Sequence, residues 1–228
     1  MKYPYESSQD ELSQVIGFID LGTNSVRLLL VRINPNFSFT ILRREKQVIR
    51  LGEGEFTDKR ILPGAVDRAV LVCRRYYELC QRYQAKEIHA VATSAIRDAE
   101  NKNEVIALLE AQTGIGFTVI SGEEEARLIW RGICTGMDVG NEKVLLIDIG
   151  GGSTELVVGN QDQYWVLSSI KMGAVRTTTA FFPDGCVDPV NENSIQKIRQ
   201  HVQNKISHTV NKIQKTGQLR LLEVQALF

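Results

Sequence analysis

Residues 144–159 read VLLIDIGGGSTELVVG, and few folds accommodate such a run. Short β-branched stretches on both sides of a glycine cluster predict strand, tight turn, strand. Gly150, Gly151 and Gly152 are expected to take positive φ and to aim successive backbone amides into one concavity. Such a concavity binds anions, phosphate above all. Asp148 and Glu155 set carboxylates at its two edges, which suits a metal-bound phosphate better than a bare one. The P-loop is excluded, because no Lys-Ser or Lys-Thr follows the last glycine. The dinucleotide fingerprint is excluded as well, since its spaced glycines open a helix, whereas these are contiguous and open into Leu-Val-Val.

The pattern occurs twice. Laying IDLGTNSVRLLLV (19–31) on IDIGGGSTELVVG (147–159) matches isoleucine, aspartate, glycine, serine and leucine in phase. Each copy is followed by one further predicted strand and then helices. Two similar β-meander domains facing one cleft, each offering an aspartate-tipped hairpin, account for this most economically.

Around the first copy, residues 15–33 and 37–51 read as a three-stranded meander broken at Asn34-Pro35-Asn36. Arg43, Arg44, Lys46 and Arg50 are expected along its third strand. A helix starts at Pro63 with apolar residues at 66, 69, 70, 73, 77 and 80. Strand 87–92 runs into Thr93-Ser94-Ala95-Ile96-Arg97, at the end where α/β sheets place ligand-contacting loops. Helix 101–113 ends at Gly114, and strand 117–120 precedes Ser121-Gly122-Glu123-Glu124, which has capping-box spacing. That helix runs to about Met137. After the second hairpin come a strand at 164–170, a short helix past Gly173, a loop at 181–189 and a helix at 193–214. The last helix carries Lys197, Arg199, Lys205 and Lys212, read either as a solvated face or as one turned to a polyanion.

Charge balances at 27 acidic against 27 basic residues, which argues against a general nucleic-acid or membrane-surface protein. The N-terminal MKYPYESSQDELSQ has no apolar signal core, and no apolar run approaches the ~20 residues that span a bilayer. Cys73, Cys80, Cys134 and Cys186 form no CxxC pair; Cys73 and Cys80 read as packing residues. A soluble, reduced, cytoplasmic protein is expected.

Taken together, IDLGTNSVR (19–27), ATSAIR (92–97), SGEEEARLIW (121–130) and IDIGGGSTEL (147–156) resemble the exopolyphosphatase/guanosine-pentaphosphate phosphohydrolase family. The resemblance implies an α/β chain of the actin-like, sugar-kinase-like ATPase fold with two ribonuclease-H-like domains. Residues 1–14 would be a tail, 15–125 the first domain and 126–228 the second, incomplete one. It implies a first phosphate hairpin of Asp20, Gly22, Thr23, Asn24, Ser25 and Arg27, and a second of Gly150, Gly151, Gly152, Ser153 and Thr154. Arg97 would hold a phosphate, Glu125 would be the catalytic carboxylate, and Asp148 and Glu155 would place Mg²⁺ and the attacking water. Glu124, at the capping-box site, leaves Glu125 freer for the cleft. The substrates implied are inorganic polyphosphate or guanosine pentaphosphate, with neither DNA nor membrane as partner and a homodimer as the assembly. A phosphate-binding module without turnover is the alternative. Family members continue into a further glycine-containing Ser-Gly-Thr type segment that is not found here, so a second domain of three strands and two helices with an open sheet edge is expected.

Overall fold

The computed structural model describes residues 13–185 and 188–224. Cys186 and most of the expected tail lie outside these residues. Strands β1 (Gln14–Leu21), β2 (Ser25–Ile33) and β3 (Phe39–Val48) form the expected antiparallel meander. There follow α1 (Glu55–Asp58), α2 (Pro63–Arg82), β4 (Glu87–Ala92), α3 (Ser94–Asp98), α4 (Lys102–Thr113) and β5 (Phe117–Val119). The sheet order is β3-β2-β1-β4-β5, with β4 parallel to β1. Pro63 opens α2 at a position where no amide bond is lost. The buried face of α2 meets Ile19, Leu21, Leu28 and Leu30, together with Val105 and Leu109 of α4. Tyr76, rather than Tyr77, is the fully buried ring, and its hydroxyl donates to the Val26 carbonyl at 3.3 Å. Cys73 and Cys80 are buried in the same core, and burial pushes their thiols up to about 12 and about 11.

Helix α5 (Gly122–Gly136) then leaves the first sheet and packs on the second. That sheet is built from β6 (Val144–Ile149), β7 (Thr154–Gly159) and β8 (Tyr164–Ile170), followed by α6 (Ala174–Phe181), α7 (Glu192–Gln214) and β9 (Arg220–Val224). Ala126 and Trp130 of α5 pack against Val144, Leu146 and Val157. Ile206 and Ile213 of α7 cover the other face at Leu156, Val158, Val166 and Ile170. The order is β8-β7-β6-β9, with β9 parallel to β6 as β4 is to β1.

Several expectations are corrected. The edge of β6 is not open: the segment Arg220–Val224 adds a fourth strand to the second sheet. Residues 94–98 form a short helix rather than a loop. The third strand ends at Val48, so Arg50 lies beyond it. The basic run also divides by the strand's alternation: Arg43 pairs with Glu45, while Arg44 and Lys46 are registered opposite Leu29 and Arg27.

Candidate functional site

The two hairpins are built alike. In the first, the Gly22 amide donates to the Ser25 carbonyl at 3.0 Å; in the second, Gly150 donates to Ser153 at 2.9 Å. Asp20 is registered opposite Arg27, and Asp148 opposite Glu155. The glycines are there for a different reason than expected, because none of Gly150, Gly151 and Gly152 has a left-handed φ. Space decides instead. A Cβ on Gly152 would collide with Ser94 Oγ and stand 2.8 Å from Thr23 Oγ1, and one on Gly151 would stand 3.0 Å from Thr23 Cβ. The backbone of the second hairpin's tip is thus pressed against the Thr23 side chain at the tip of the first. Among the described residues, the amides of Thr23, Asn24, Gly151 and Gly152 make no hydrogen bond.

The tips open on a cavity of about 580 Å³ lined by Asp20, Gly22, Thr23, Asn24, Ser25, Arg27, Glu125, Asp148, Gly150, Gly151, Gly152, Ser153 and Glu155, among others. Arg97 and Thr154 are the two expected site residues outside this lining. The Thr154 hydroxyl donates to the Met172 carbonyl at 2.5 Å. Arg97 donates to Glu125 at 2.8 Å, with both side chains 17% exposed, and to the Ile120 carbonyl at 3.3 Å.

Four carboxylates therefore share one cleft with a single lining arginine. Arg27 lies 3.9 Å from Asp20. Glu155 occupies the position equivalent to Arg27, so the second hairpin sets two acids side by side where the first sets an ion pair. Burial, and then the charge of Glu125, push Glu155 up to about 7, against hydrogen bonds from Ser169 (2.7 Å) and Ser153. Burial likewise raises Asp148, Asp20 and Glu125; Arg27 opposes the shift in the two aspartates and Arg97 opposes it in Glu125. Asp20 is raised even though its side chain keeps 42% exposure, because that exposure is within the cleft.

Residues unmarked in the sequence hold the cleft together. Arg176 of α6 donates to the Gly152 carbonyl at 2.8 Å and to Asp98 at 2.6 Å, and it lies 4.1 Å from the Phe56 ring centroid. Asp98, 8% exposed, also receives Lys171 at 2.7 Å. Helix α5 begins with half a capping box: Ser121 Oγ accepts the Glu124 amide at 3.1 Å, but the Glu124 carboxylate turns to Arg127 at 2.7 Å. Glu125, one position on, points to the cleft.

The residues present fit a divalent cation of the magnesium kind. Asp148 Oδ1 is buried and has no hydrogen-bond partner among the described residues, a costly arrangement unless something binds it. A bare polyanion would be repelled by four carboxylates. No group of three or more His, Cys, Asp or Glu side chains among the described residues forms a cage for a metal. Mg²⁺ rarely needs one, being held by one or two carboxylates together with substrate phosphates and water.

Residues 29–226 match the Ppx/GppA phosphatase family. The chain belongs to that family. Among its Ppx/GppA relatives is a putative exopolyphosphatase of Haemophilus influenzae, 34% identical over 89% of this chain and 61% of its own length. A Cytophaga hutchinsonii exopolyphosphatase structure superposes with a TM-score of 0.87 at 29% identity, covering 92% of this chain and 66% of that one. The Aquifex aeolicus family member gives 0.69 at 26% identity, over 86% and 63%. The chain thus spans slightly less than two thirds of these relatives' length. Its fold is the actin-like ATPase fold that the family resemblance implies, with the two similar sheets expected from the paired hairpins. Among the described residues, no helix is long and apolar enough to cross a membrane.

Proposed function

We propose that this Ppx/GppA phosphatase releases terminal phosphate from inorganic polyphosphate. The observation that carries the reading is the facing pair of glycine hairpins, whose unbonded amides and Glu125 border one cavity. The amides of Thr23, Asn24, Gly151 and Gly152 bind the oxygens of the terminal phosphate, and Arg27 adds a positive charge. Glu125, oriented by Arg97, holds a water in line with the terminal phosphorus and takes its proton as attack begins. A P–O bond to that water forms as the bridging P–O bond breaks, and the shortened chain leaves with the bridging oxygen. Mg²⁺, held by Asp148 and Glu155, would neutralise charge on the phosphate oxygens.

Guanosine pentaphosphate is the second substrate this cleft admits, since its terminal phosphoanhydride presents the same group. Polyphosphate is favoured by Arg44 and Lys46, which share a face with Arg27 and extend positive charge away from the cavity. Phosphate release from long-chain polyphosphate and from guanosine pentaphosphate, each with Mg²⁺, separates the two. Release from neither substrate, with binding retained, would leave a phosphate-binding module and overturn the proposal.

A further inference from the structure

Phosphate release in the cleft makes no use of the basic residues of α7. Lys197, His201, Lys205, His208, Lys212 and Lys215 stand 4, 4, 3, 4 and 3 residues apart, so on a helix they form one stripe. The stripe is about 27 Å long. Its four lysines are exposed, and among the described residues none of them meets a carboxylate. The helix's single acid, Glu192, precedes the stripe and pairs with Arg199 at 3.6 Å. The chain's charges balance overall, so positive charge is gathered here on one surface.

The stripe runs beside β8, an edge strand of the second sheet. Thr209 Oγ1 lies 3.2 Å from Ser168 Oγ, and Lys212, Lys215 and Thr216 line a cavity of about 280 Å³ with Trp165, Val166 and Leu167. Trp165 owes its place to a bulge. Val158 is registered on Val166 and Gly159 on Tyr164, which leaves Trp165 as the extra residue. Its ring stays 40% exposed. Lys143 Nζ lies 5.0 Å from the ring centroid and donates to the Thr216 carbonyl at 2.6 Å. An aromatic face kept open among ammonium groups suits a flat ring joined to negative charge. This end of β8 is away from the cleft, since Ile170 at the other end is registered on Thr154, beside the glycine tip.

We infer that α7 and Trp165 form a groove for single-stranded nucleic acid. The lysines of the stripe take successive backbone phosphates, and a base in the cavity stacks on the open part of the Trp165 ring. The ring favours a nucleic acid over inorganic polyphosphate, which has nothing to stack. The groove lies outside the catalytic cleft, so it stands whether or not polyphosphate is hydrolysed there.

Fluorescence anisotropy of the 228-residue chain with labelled single strands of about ten nucleotides tests this, with RNA and DNA titrated separately; binding of either supports the inference. Binding should weaken with salt at a log–log slope of about −3, from four phosphate contacts at about −0.7 each. It should also quench Trp165, the more exposed of the two tryptophans. Trp165→Leu should weaken binding about fivefold or more, and Lys205→Glu combined with Lys212→Glu at least about tenfold. Arg27→Ala, in the cleft, should leave binding unchanged. The lysine variants change exposed side chains and should melt as the unchanged chain does, which keeps the test open if Trp165→Leu fails to fold. Three results would each overturn the inference. They are no binding at about 50 mM salt, binding indifferent to both sets of substitutions, and long-chain polyphosphate held more tightly by the same lysines without help from Trp165.

Discussion

Replacing Glu155 by glutamine should stabilise this protein above neutral pH. The carboxyl is 1% exposed and accepts a 2.7 Å hydrogen bond from Ser169. Burial and the nearby Glu125 raise it from its ordinary 4.5 to about 7. In the unfolded chain the proton leaves near 4.5, whereas the folded protein keeps it until about 7. Between those values the folded state binds the extra proton, so stability falls as pH rises through the window and stays low above it. Full deprotonation corresponds to roughly 3 kcal/mol, an upper figure because neighbouring carboxyls titrate together. Glutamine keeps the shape, still accepts from Ser169 and never ionises. Urea denaturation from about pH 5 to about pH 8.5, with a chelator present, should find Glu155→Gln similar to wild type at the acid end. At the alkaline end it should be more stable by up to about 3 kcal/mol. Parallel pH profiles for the two proteins, or a variant less stable at about pH 8, would refute the reasoning.

Other consequences follow from the contacts around the cleft. Asp98→Ala strands Arg176, whose side chain is 21% exposed and lies 2.6 Å from that carboxylate, and should cost about 3 kcal/mol in denaturation; a loss below about 1 kcal/mol would mean that the pair behaves as a solvated surface pair. Gly152→Ala drives a methyl group into Ser94 Oγ and should cost about 1–3 kcal/mol, partly recovered by Ser94→Gly in the double variant. Asp148→Asn removes charge from the buried oxygen that has no hydrogen-bond partner among the described residues and should raise the Mg²⁺ needed for half-maximal phosphate release by about tenfold or more, which a metal titration of activity checks.

Much of this architecture can be read from the chain, and what cannot has physical causes. The hairpins are legible because a strand-ending aspartate followed by glycine and serine leaves few alternatives, and its recurrence gives the paired sheets. The role of Gly150 to Gly152 is misread from composition, since a glycine required for close approach looks the same in sequence as one required for positive φ. At Gly151 and Gly152, only the approach of Thr23 and Ser94 tells them apart. Glu125 is singled out by the family resemblance of SGEEEARLIW, since its helix start alone reads as ordinary acidic charge at a helix N-terminus, and its tie to Arg97, 28 residues away, depends on α3 and α5 meeting. Arg176 carries no sequence signal, because its partners Asp98, Gly152 and Phe56 come from three separate elements. The strand β9 escapes notice because five residues at Arg220–Val224 are too few for period-two alternation to stand out.

In the proposed mechanism, Glu125 acts on water at the end of a phosphate chain held by both hairpins. Steady-state phosphate release from long-chain polyphosphate with Mg²⁺, wild type against Glu125→Gln, tests it most directly. Glutamine keeps an acceptor for Arg97 at a site now bonded at 2.8 Å, so the fold should persist by circular dichroism and thermal melting. The rate should fall at least about 10²-fold with substrate binding little changed. Near-normal turnover by the folded variant would remove Glu125 from the mechanism and contradict the account.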